Sequence, residues 1–180
     1  GTRQPFYWYD PPRTEAVPLV VSLHSWSANC QWSNPARTVC GYCKEHGWAM
    51  VYPDFRGPNM RPEACGSELA RRDILDVIAW ARSARPIDPD RIYIIGGSGG
   101  GHMTLLMLGR HPEIFAAGAA FCPITDLARW HEESSCDIPG RSAGYARMLE
   151  KACGGKPDGC QDEYRRRSPI TWLKRVKEVR

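Results

Sequence analysis

Residues 91–109, RIYIIGGSGGGHMTLLMLG, predict an apolar strand, a glycine-rich turn and an apolar helix in direct succession. Within the turn, Gly96 to Gly100 match G-x-S-x-G, the motif of a nucleophile elbow, in which a serine sits on a sharp turn between a strand and a helix. Glycines two residues away on either side let the strand and the helix pack closely. The helix N-terminus also favours negative charge that develops beside it. The stretch therefore predicts Ser98 as a nucleophile and the backbone N–H of Gly99 as one donor of an oxyanion hole.

Two phosphate-binding motifs also contain clustered glycines, and neither fits this turn. A P-loop ends in Gly-Lys-Ser/Thr, but no lysine occurs between Lys44 and Lys151. A dinucleotide-binding G-x-G-x-x-G would begin at Gly97 and would need glycine at position 102, which is histidine. The sequence thus predicts no cofactor, and a glycine-rich turn without chemistry is the remaining alternative.

Segments of strand length alternate with segments of helical period along most of the chain. Val17 to Leu23 is a continuous apolar run, which is typical of a parallel strand covered on both faces. After Ser67, a helix N-cap, apolar residues recur on one helical face at Ala70, Ile74, Val77, Ile78 and Ala81. The alternation predicts an α/β fold with a doubly wound, mostly parallel sheet. The other predicted strands are Phe6 to Tyr9, Trp48 to Tyr52 and Phe115 to Cys122, and the other predicted helices are Pro35 to His46 and a last one from Ser168-Pro169 to about Val179.

The chain is predicted to form one domain, residues 1–180. Residues 127–167 break the alternation, are rich in Glu, Arg, Gly and Cys, and predict a lid inserted over one end of the sheet. Single domains of this class commonly have about 200–250 residues. The length of 180 residues is below that range.

The formal net charge of +4 is concentrated at one end of the chain. Residues 161–180 contain 7 Lys and Arg against 3 Asp and Glu, which accounts for the whole excess. A nucleic-acid-binding protein usually spreads a basic face over its fold, so this class of partner is excluded. A membrane span is also excluded, because no apolar run approaches roughly 18 residues. The basic residues predict the solvated side of a terminal helix, formed by Arg165, Arg166, Arg167, Lys174, Arg175 and Lys177.

Eight cysteines are many for a cytosolic chain of this length, and their even number favours an oxidising, secreted or periplasmic location. Cys153 and Cys160 flank a glycine-rich loop short enough to be closed by a disulfide, which is the predicted pair. Cys40 and Cys43 form a C-x-x-C, which is typical of redox or zinc sites. With no second C-x-x-C to complete four ligands, the sequence predicts no metal site.

The loop after the strand that ends at Leu23 contains His24-Ser25-Trp26-Ser27. In the topology predicted above, this loop faces the nucleophile and supplies the second oxyanion donor, for which the N–H of Trp26 is the candidate. His24 is expected to support the loop through hydrogen bonds. The Trp26 indole is a candidate wall of the substrate pocket, or it simply packs the loop.

Five segments, taken in order, carry a resemblance that covers nearly the whole chain. They resemble the catalytic domain of the prolyl oligopeptidase group (peptidase S9 type) of α/β-hydrolases, and Ser168-Pro169-Ile170 resembles the segment before that family's next strand. The resemblance implies a Ser-Asp-His hydrolase that acts on small-molecule esters or peptides. The segments are His24-Ser25-Trp26, Pro53-Asp54-Phe55-Arg56-Gly57, Arg72 to Trp80, Asp88-Pro89-Asp90-Arg91-Ile92 and Gly96 to Gly100.

The chain departs from the family pattern in two places. Ser25 and Trp26 stand where the peptidases usually have glycines, which is closer to secreted, esterase-like relatives. The family also places its triad acid and histidine after strands that follow Ser168-Pro169. The resemblance therefore implies a sheet that lacks its C-terminal strands, with both groups expected beyond Arg180. The oligomeric state is not determined by these features.

Some residues within the chain are alternative or additional site candidates. Asp126 and His131, just after the strand Phe115 to Cys122, are candidates for the acid and the base. Asn59, Arg61 and Glu63 follow the Asp54-Phe55-Arg56-Gly57 turn and are candidates for substrate contact. The leading hypothesis is a serine hydrolase that forms an acyl-enzyme at Ser98. The alternative is a truncated or degenerate hydrolase that binds a partner without turnover.

Overall fold

A computed structural model describes residues 3–31, 34–135 and 144–176, and its centre is a five-stranded sheet. The first strand pairs antiparallel with the third, and the other neighbours are parallel. The predicted mostly parallel α/β sheet is therefore confirmed. The strands are β1 (Phe6–Tyr9), β2 (Val17–Leu23), β3 (Ala49–Pro53), β4 (Ile87–Gly97) and β5 (Ala117–Phe121), in the spatial order β1-β3-β2-β4-β5.

Helices cover both faces of the sheet, as a doubly wound fold requires. They are α1 (Asn34–His46), α2 (Glu68–Ala84), α3 (Gly99–Arg110), α4 (Leu127–Ser135), α5 (Gly144–Cys153) and α6 (Gln161–Arg167). In β2, Leu19 and Val21 belong to the apolar cluster formed with α2 and α3, whereas Val20 belongs to the cluster formed with α1. This alternation follows from the two-residue period of a strand and explains why β2 is apolar throughout.

The helix α2 has the buried face and the N-cap that its sequence predicts. The Ser67 side chain accepts a hydrogen bond from the backbone N–H of Ala70 at 3.1 Å. The buried residues of α2 are Ala70, Ile74, Val77, Ile78 and Ala81, the five of the predicted apolar face.

The predicted helix from Ser168-Pro169 to Val179 is wrong over the described residues, and residues 177–180 lie outside them. Two short 3₁₀ turns, Pro169–Thr171 and Leu173–Arg175, replace it. The chain bends there because Trp172 docks on α3: a Cβ on Gly109 would come within 2.7 Å of the Trp172 Cβ, and the Arg110 guanidinium lies 3.5 Å from the Trp172 ring centre. This contact is tertiary, so the helical period could not predict it.

The strand β5 forms one edge of the sheet in the part of the chain that the structure describes. Its Phe121 side chain is 61% exposed. Beside it, α1 and the sheet enclose an apolar cavity of about 300 Å³ lined by Tyr42, Trp48 and Tyr93 among others. Apolar surface of this kind is usually covered in α/β proteins.

The helices α4, α5 and α6 belong to residues 127–167, called the helical segment below. They pack around an apolar cluster of their own that includes Leu127, Leu149 and Tyr164 and extends to Trp26 of the loop after β2. Within the described ranges, no helix is both long and apolar enough to cross a bilayer.

Candidate active site

Ser98 occupies the turn between β4 and α3 in a conformation that L-residues rarely adopt, with φ 54° and ψ −116°. Its backbone N–H donates to the Phe121 carbonyl at 2.8 Å, and its own carbonyl accepts from the His102 N–H at 2.9 Å. These two bonds hold the backbone in place from β5 and from α3. A residue kept in a strained conformation by its surroundings is characteristic of functional sites.

The glycines around Ser98 are required by backbone contacts. A Cβ on Gly96 would lie 2.4 Å from the backbone C and O of Gly100, and a Cβ on Gly100 would lie 2.4 Å from the Leu23 carbonyl oxygen. Gly97 differs, because the nearest atoms to its Cβ position are 3.9 Å away. The close approach of β2, β4 and α3 therefore depends on Gly96 and Gly100.

Trp26 brings the loop after β2 against the N-terminus of α3. A Cβ on Gly99 would lie 2.4 Å from the backbone N of Trp26, so the two peptide groups are in direct contact. The Trp26 carbonyl accepts hydrogen bonds from the backbone N–H of Asn59 at 2.9 Å and from its Nδ2 at 3.4 Å. Asn59 Oδ1 in turn accepts from the Cys65 N–H at 2.9 Å.

Asn59 therefore positions Trp26, and the structure does not support it as a substrate contact, because its side chain is buried and hydrogen-bonded to backbone groups. Arg61 and Glu63 are exposed and do not line the cavity at Ser98. Arg61 donates to the Arg56 carbonyl at 2.8 Å.

His24 supports the loop after β2 through contacts with the turn that follows β3. Its ring stacks on Phe55 with 3.9 Å between centroids, and its two nitrogens lie 2.9 Å from the Ser25 carbonyl oxygen and 2.6 Å from that of Asp54. Burial lowers the pKa of His24. These contacts agree with the supporting role expected from the sequence.

A cavity of about 430 Å³ opens next to Ser98, between the end of β5 and the helical segment. Trp130 and Tyr145 form an aromatic wall with 4.9 Å between ring centroids. The Trp26 indole is buried and packs edge-on against Trp130 at 4.7 Å, so it supports this wall and does not line the cavity. The remaining lining residues include Cys122, Asp126, Arg129 and Glu133.

The structure does not bring Asp126 and His131 together. Asp126 lines the cavity, but its Oδ1 accepts from the backbone N–H groups of Ala128 at 3.0 Å and Arg129 at 3.2 Å, which makes it the cap of α4. His131, on the next turn of the helix, is turned towards α5 and is bonded through Nε2 to Glu150 at 2.9 Å. Their prediction as an acid–base pair is therefore not supported, because helix geometry directs the two side chains to different neighbours.

Arg167 is not on the solvated helix face that the charge pattern predicted. It is buried, and its guanidinium donates to the carbonyls of Pro62 at 3.0 Å, Ala64 at 2.9 Å and Cys65 at 3.3 Å and pairs with Glu163 at 2.8 Å. Arg165 and Arg166 are exposed, as the solvated face predicted. Lys174 and Arg175 belong to a 3₁₀ turn, and Lys177 lies outside the described residues.

His102 joins Arg167 to α3. It is fully buried on α3, and its Nε2–H donates to the Arg167 carbonyl at 2.8 Å. Burial lowers the pKa of His102 to about 4, so the ring is neutral near pH 7. Its position four residues after Ser98 indicated a shared helix, but its partner 65 residues away could not be read from the sequence.

The seven cysteines that the structure describes are free thiols. The predicted Cys153–Cys160 disulfide is therefore absent. Cys153 instead shares a buried cluster with Cys65, and the two thiols perturb each other's pKa. Cys43 is buried and Cys40 half-buried on α1. In residues 3–31, 34–135 and 144–176, no group of three or more His, Cys, Asp or Glu side chains is arranged to hold a metal ion.

A mostly parallel sheet with a glycine-flanked serine at a strand-to-helix turn defines the α/β-hydrolase class. The chain belongs to the prolyl oligopeptidase family, whose sequence profile matches residues 36–180. It is 30% identical over 126 residues to feruloyl esterase B of Neurospora crassa, covering 64% of this chain and 42% of that protein. It is 27% identical over 173 residues to dipeptidyl aminopeptidase BIII of Pseudoxanthomonas mexicana, covering 90% of this chain and 24% of that protein.

Solved structures support the fold. The chain superposes on a puromycin hydrolase with a TM-score of 0.77 and 22% identity, covering 98% of this chain and 28% of that one. It superposes on the acylaminoacyl peptidase of Pyrococcus horikoshii with a TM-score of 0.71 and 19% identity, covering 97% of this chain and 28% of that one. The chain spans less than half the length of these relatives. By name, these two sequence relatives are an esterase and a peptidase.

Proposed function

We propose that this chain carries the nucleophile and the oxyanion hole of a serine hydrolase that cleaves a carboxylic ester or a peptide bond through an acyl-enzyme at Ser98. The observation that carries the proposal is the strained backbone of Ser98, at φ 54°, on a turn that borders a cavity of about 430 Å³. A serine in a nucleophile elbow has this environment.

In this mechanism the Ser98 Oγ attacks the carbonyl carbon, and a histidine accepts the hydroxyl proton and returns it to the leaving group. The tetrahedral oxyanion accepts hydrogen bonds from the N–H groups of Gly99 and Trp26. Two features support that assignment: the peptide of Trp26 touches Gly99, and α3 begins at Gly99 with its positive dipole end at the site. Water then attacks the acyl-enzyme and releases the acid.

The acid and the histidine of the triad are proposed to lie beyond residue 180. His24, His102 and His131 all have hydrogen-bond partners inside the fold. The exposed edge of β5 supports the same proposal. In a parallel sheet the carboxyl ends of all strands meet at one edge, so a strand added beside β5 would deliver its following loop next to Ser98.

The cavity and the relatives support two substrate classes, esters and peptides. The feruloyl esterase and the dipeptidyl aminopeptidase are similar to this chain over different extents, and neither similarity selects the substrate. The aromatic wall of Trp130 and Tyr145 would contact an apolar part of the substrate, and the helical segment would act as a lid that limits its size.

The test is covalent labelling with a fluorophosphonate probe together with hydrolysis of p-nitrophenyl acetate. Both are applied to the 180-residue chain and to a longer form that includes the residues after Arg180. We expect labelling at Ser98 and turnover in the longer form, loss of both in Ser98→Ala by at least about 1,000-fold, and no loss in the control Ser83→Ala on the exposed face of α2.

Two results would contradict the proposal in different ways. A folded longer form that neither labels nor turns over would favour the alternative of a binding protein without activity. Full labelling and turnover by residues 1–180 alone would show that the triad is complete within this chain and would overturn the placement of its acid and histidine.

A further inference from the structure

Three cysteines meet where the helical segment contacts the loop after β3. Cys65 belongs to that loop, Cys153 is the last residue of α5, and Cys160 precedes α6. Cys65 and Cys153 are buried, and all three belong to the cluster around Tyr164 or pack against it. The proposed hydrolysis uses none of these thiols.

The backbone of Cys65 is held in an uncommon conformation. Its φ is +48°, a region that L-residues other than Asn and Asp seldom occupy. Its N–H donates to Asn59 Oδ1 at 2.9 Å, and its carbonyl accepts from Arg167 at 3.3 Å. Both bonds hold the backbone from which the thiol projects.

The Cys65 and Cys153 side chains interact with each other inside the buried cluster that they share. This interaction, together with the positive charge of Arg167, lowers the pKa of Cys153, while the same interaction and burial raise the pKa of Cys65. Cys153 is thus the better nucleophile of the pair, and the second sulfur is already beside it.

We propose that Cys65 and Cys153 form an intrachain disulfide when the protein meets a low-molecular-weight disulfide such as oxidised glutathione. The Cys153 thiolate attacks one sulfur of that oxidant, which forms a mixed disulfide and releases one glutathione thiolate. The Cys65 thiolate then attacks the Cys153 sulfur and releases the second glutathione. The two thiol protons go to the two released thiolates, so two protein thiols are oxidised and one small disulfide is reduced. Because both thiols are buried, exchange takes place while the chain folds or when the helical segment opens.

A disulfide between Cys65 and Cys153 would link the helical segment to the residues that position the Trp26 loop. The Asn59 side chain is hydrogen-bonded to both the Cys65 N–H and the Trp26 carbonyl. Cys65 is therefore connected through Asn59 to the residue that contacts Gly99. On the other side, Cys153 closes the helix that carries Tyr145. Oxidation would fasten the helical segment over Ser98 without using any residue of the proposed catalytic machinery.

The experiment is a peptide map of the full chain folded in a glutathione redox buffer and, in parallel, in dithiothreitol, with remaining thiols alkylated after denaturation. Trypsin leaves Cys153 and Cys160 in one peptide, so Asp-N is added to cut before Asp158 and separate them. We expect a cross-linked peptide containing Cys65 and Cys153 that lacks two hydrogens, formed only in the glutathione buffer. The oxidised protein should melt about 5–15 °C higher than the reduced protein.

Matched variants distinguish this pair from its neighbour. Cys160→Ser should keep the cross-link and the gain in melting temperature, whereas Cys65→Ser should lose both. A cross-link between Cys153 and Cys160, or complete alkylation of Cys65 and Cys153 in protein folded under oxidising conditions, would overturn the proposal. The peptide map of the wild-type chain tests the Cys65–Cys153 cross-link even if Cys65→Ser does not fold. Its result does not depend on whether Ser98 is active.

Discussion

The turn that holds Ser98 and the helical segment on the other side of the cavity are built in different ways. The turn is fixed by backbone contacts among Gly96, Gly100 and Leu23, at distances that exclude a single added methyl group. The helical segment is fixed by side chains that reach distant carbonyls, such as the bond from Arg167 to Ala64, 103 residues away in sequence. One side of the cavity is therefore set by steric limits, and the other by long-range polar contacts. We expect the two regions to respond to different substitutions.

Gly96→Ala should have the largest effect on the free energy of unfolding. Its Cβ would lie 2.4 Å from the Gly100 backbone, which cannot yield without moving α3, so we expect a loss of about 4 kcal/mol or more. Gly97→Ala in the same motif should cost less than about 1 kcal/mol because its Cβ position is open. Urea unfolding of both variants measures the difference, and equal losses would contradict the steric account of the turn.

Arg167→Met should lower the free energy of unfolding by about 3 kcal/mol, the second largest loss. The carbonyls of Pro62, Ala64 and Cys65 would lose their buried hydrogen-bond donor. The neighbouring Arg166→Met removes only an exposed pair with Glu163 and should cost less than about 1 kcal/mol. Amide hydrogen exchange should show α6 opening more often in Arg167→Met while β4 keeps its protection. Loss of protection in β4 to the same degree would show that the two regions unfold as one unit.

Acidification should weaken the contact between the two regions through His102. The pKa of His102 is about 4 in the folded protein and 6.5 in the unfolded chain, so the unfolded state binds the proton first as pH falls. From this group alone, stability should be nearly constant above about pH 7.5 and should fall by about 1.5 kcal/mol between pH 6.5 and pH 5. The pH dependence of unfolding in wild type minus that in His102→Gln isolates the effect, and parallel curves would refute it.

Asp126→Ala should have the smallest effect on the free energy of unfolding, a loss of about 1 kcal/mol, because α4 loses its N-cap. Asp126→Asn should cost only a few tenths of a kcal/mol, since an amide oxygen also accepts at the N-cap. Thermal unfolding of both variants is the measurement. A large loss in Asp126→Asn would mean that the negative charge, and not the cap, is what the fold requires.

The successes and failures of prediction from sequence follow the same division. The bounds of β2, the buried face of α2 and the turn at Ser98 were predictable because strand period, helix period and glycine placement are local properties. Asn59, Arg167 and the Cys65–Cys153 contact were not, because their partners are backbone or thiol groups whose proximity depends on the folded chain. The final helix failed for the same reason: Trp172 docks on α3 and bends the chain into 3₁₀ turns.

The sequence by itself determined the class of fold and the position of Ser98 in a strand-to-helix turn, since both depend on residues close together in the chain. Tertiary structure alone decided which side chains surround that serine. It turned His131 towards Glu150, used Asp126 as a helix cap, buried Arg167 under the loop after β3 and placed Cys153 against Cys65. The physical reason is that a polar group excluded from water must find a partner wherever the fold supplies one, and no local pattern records where that will be.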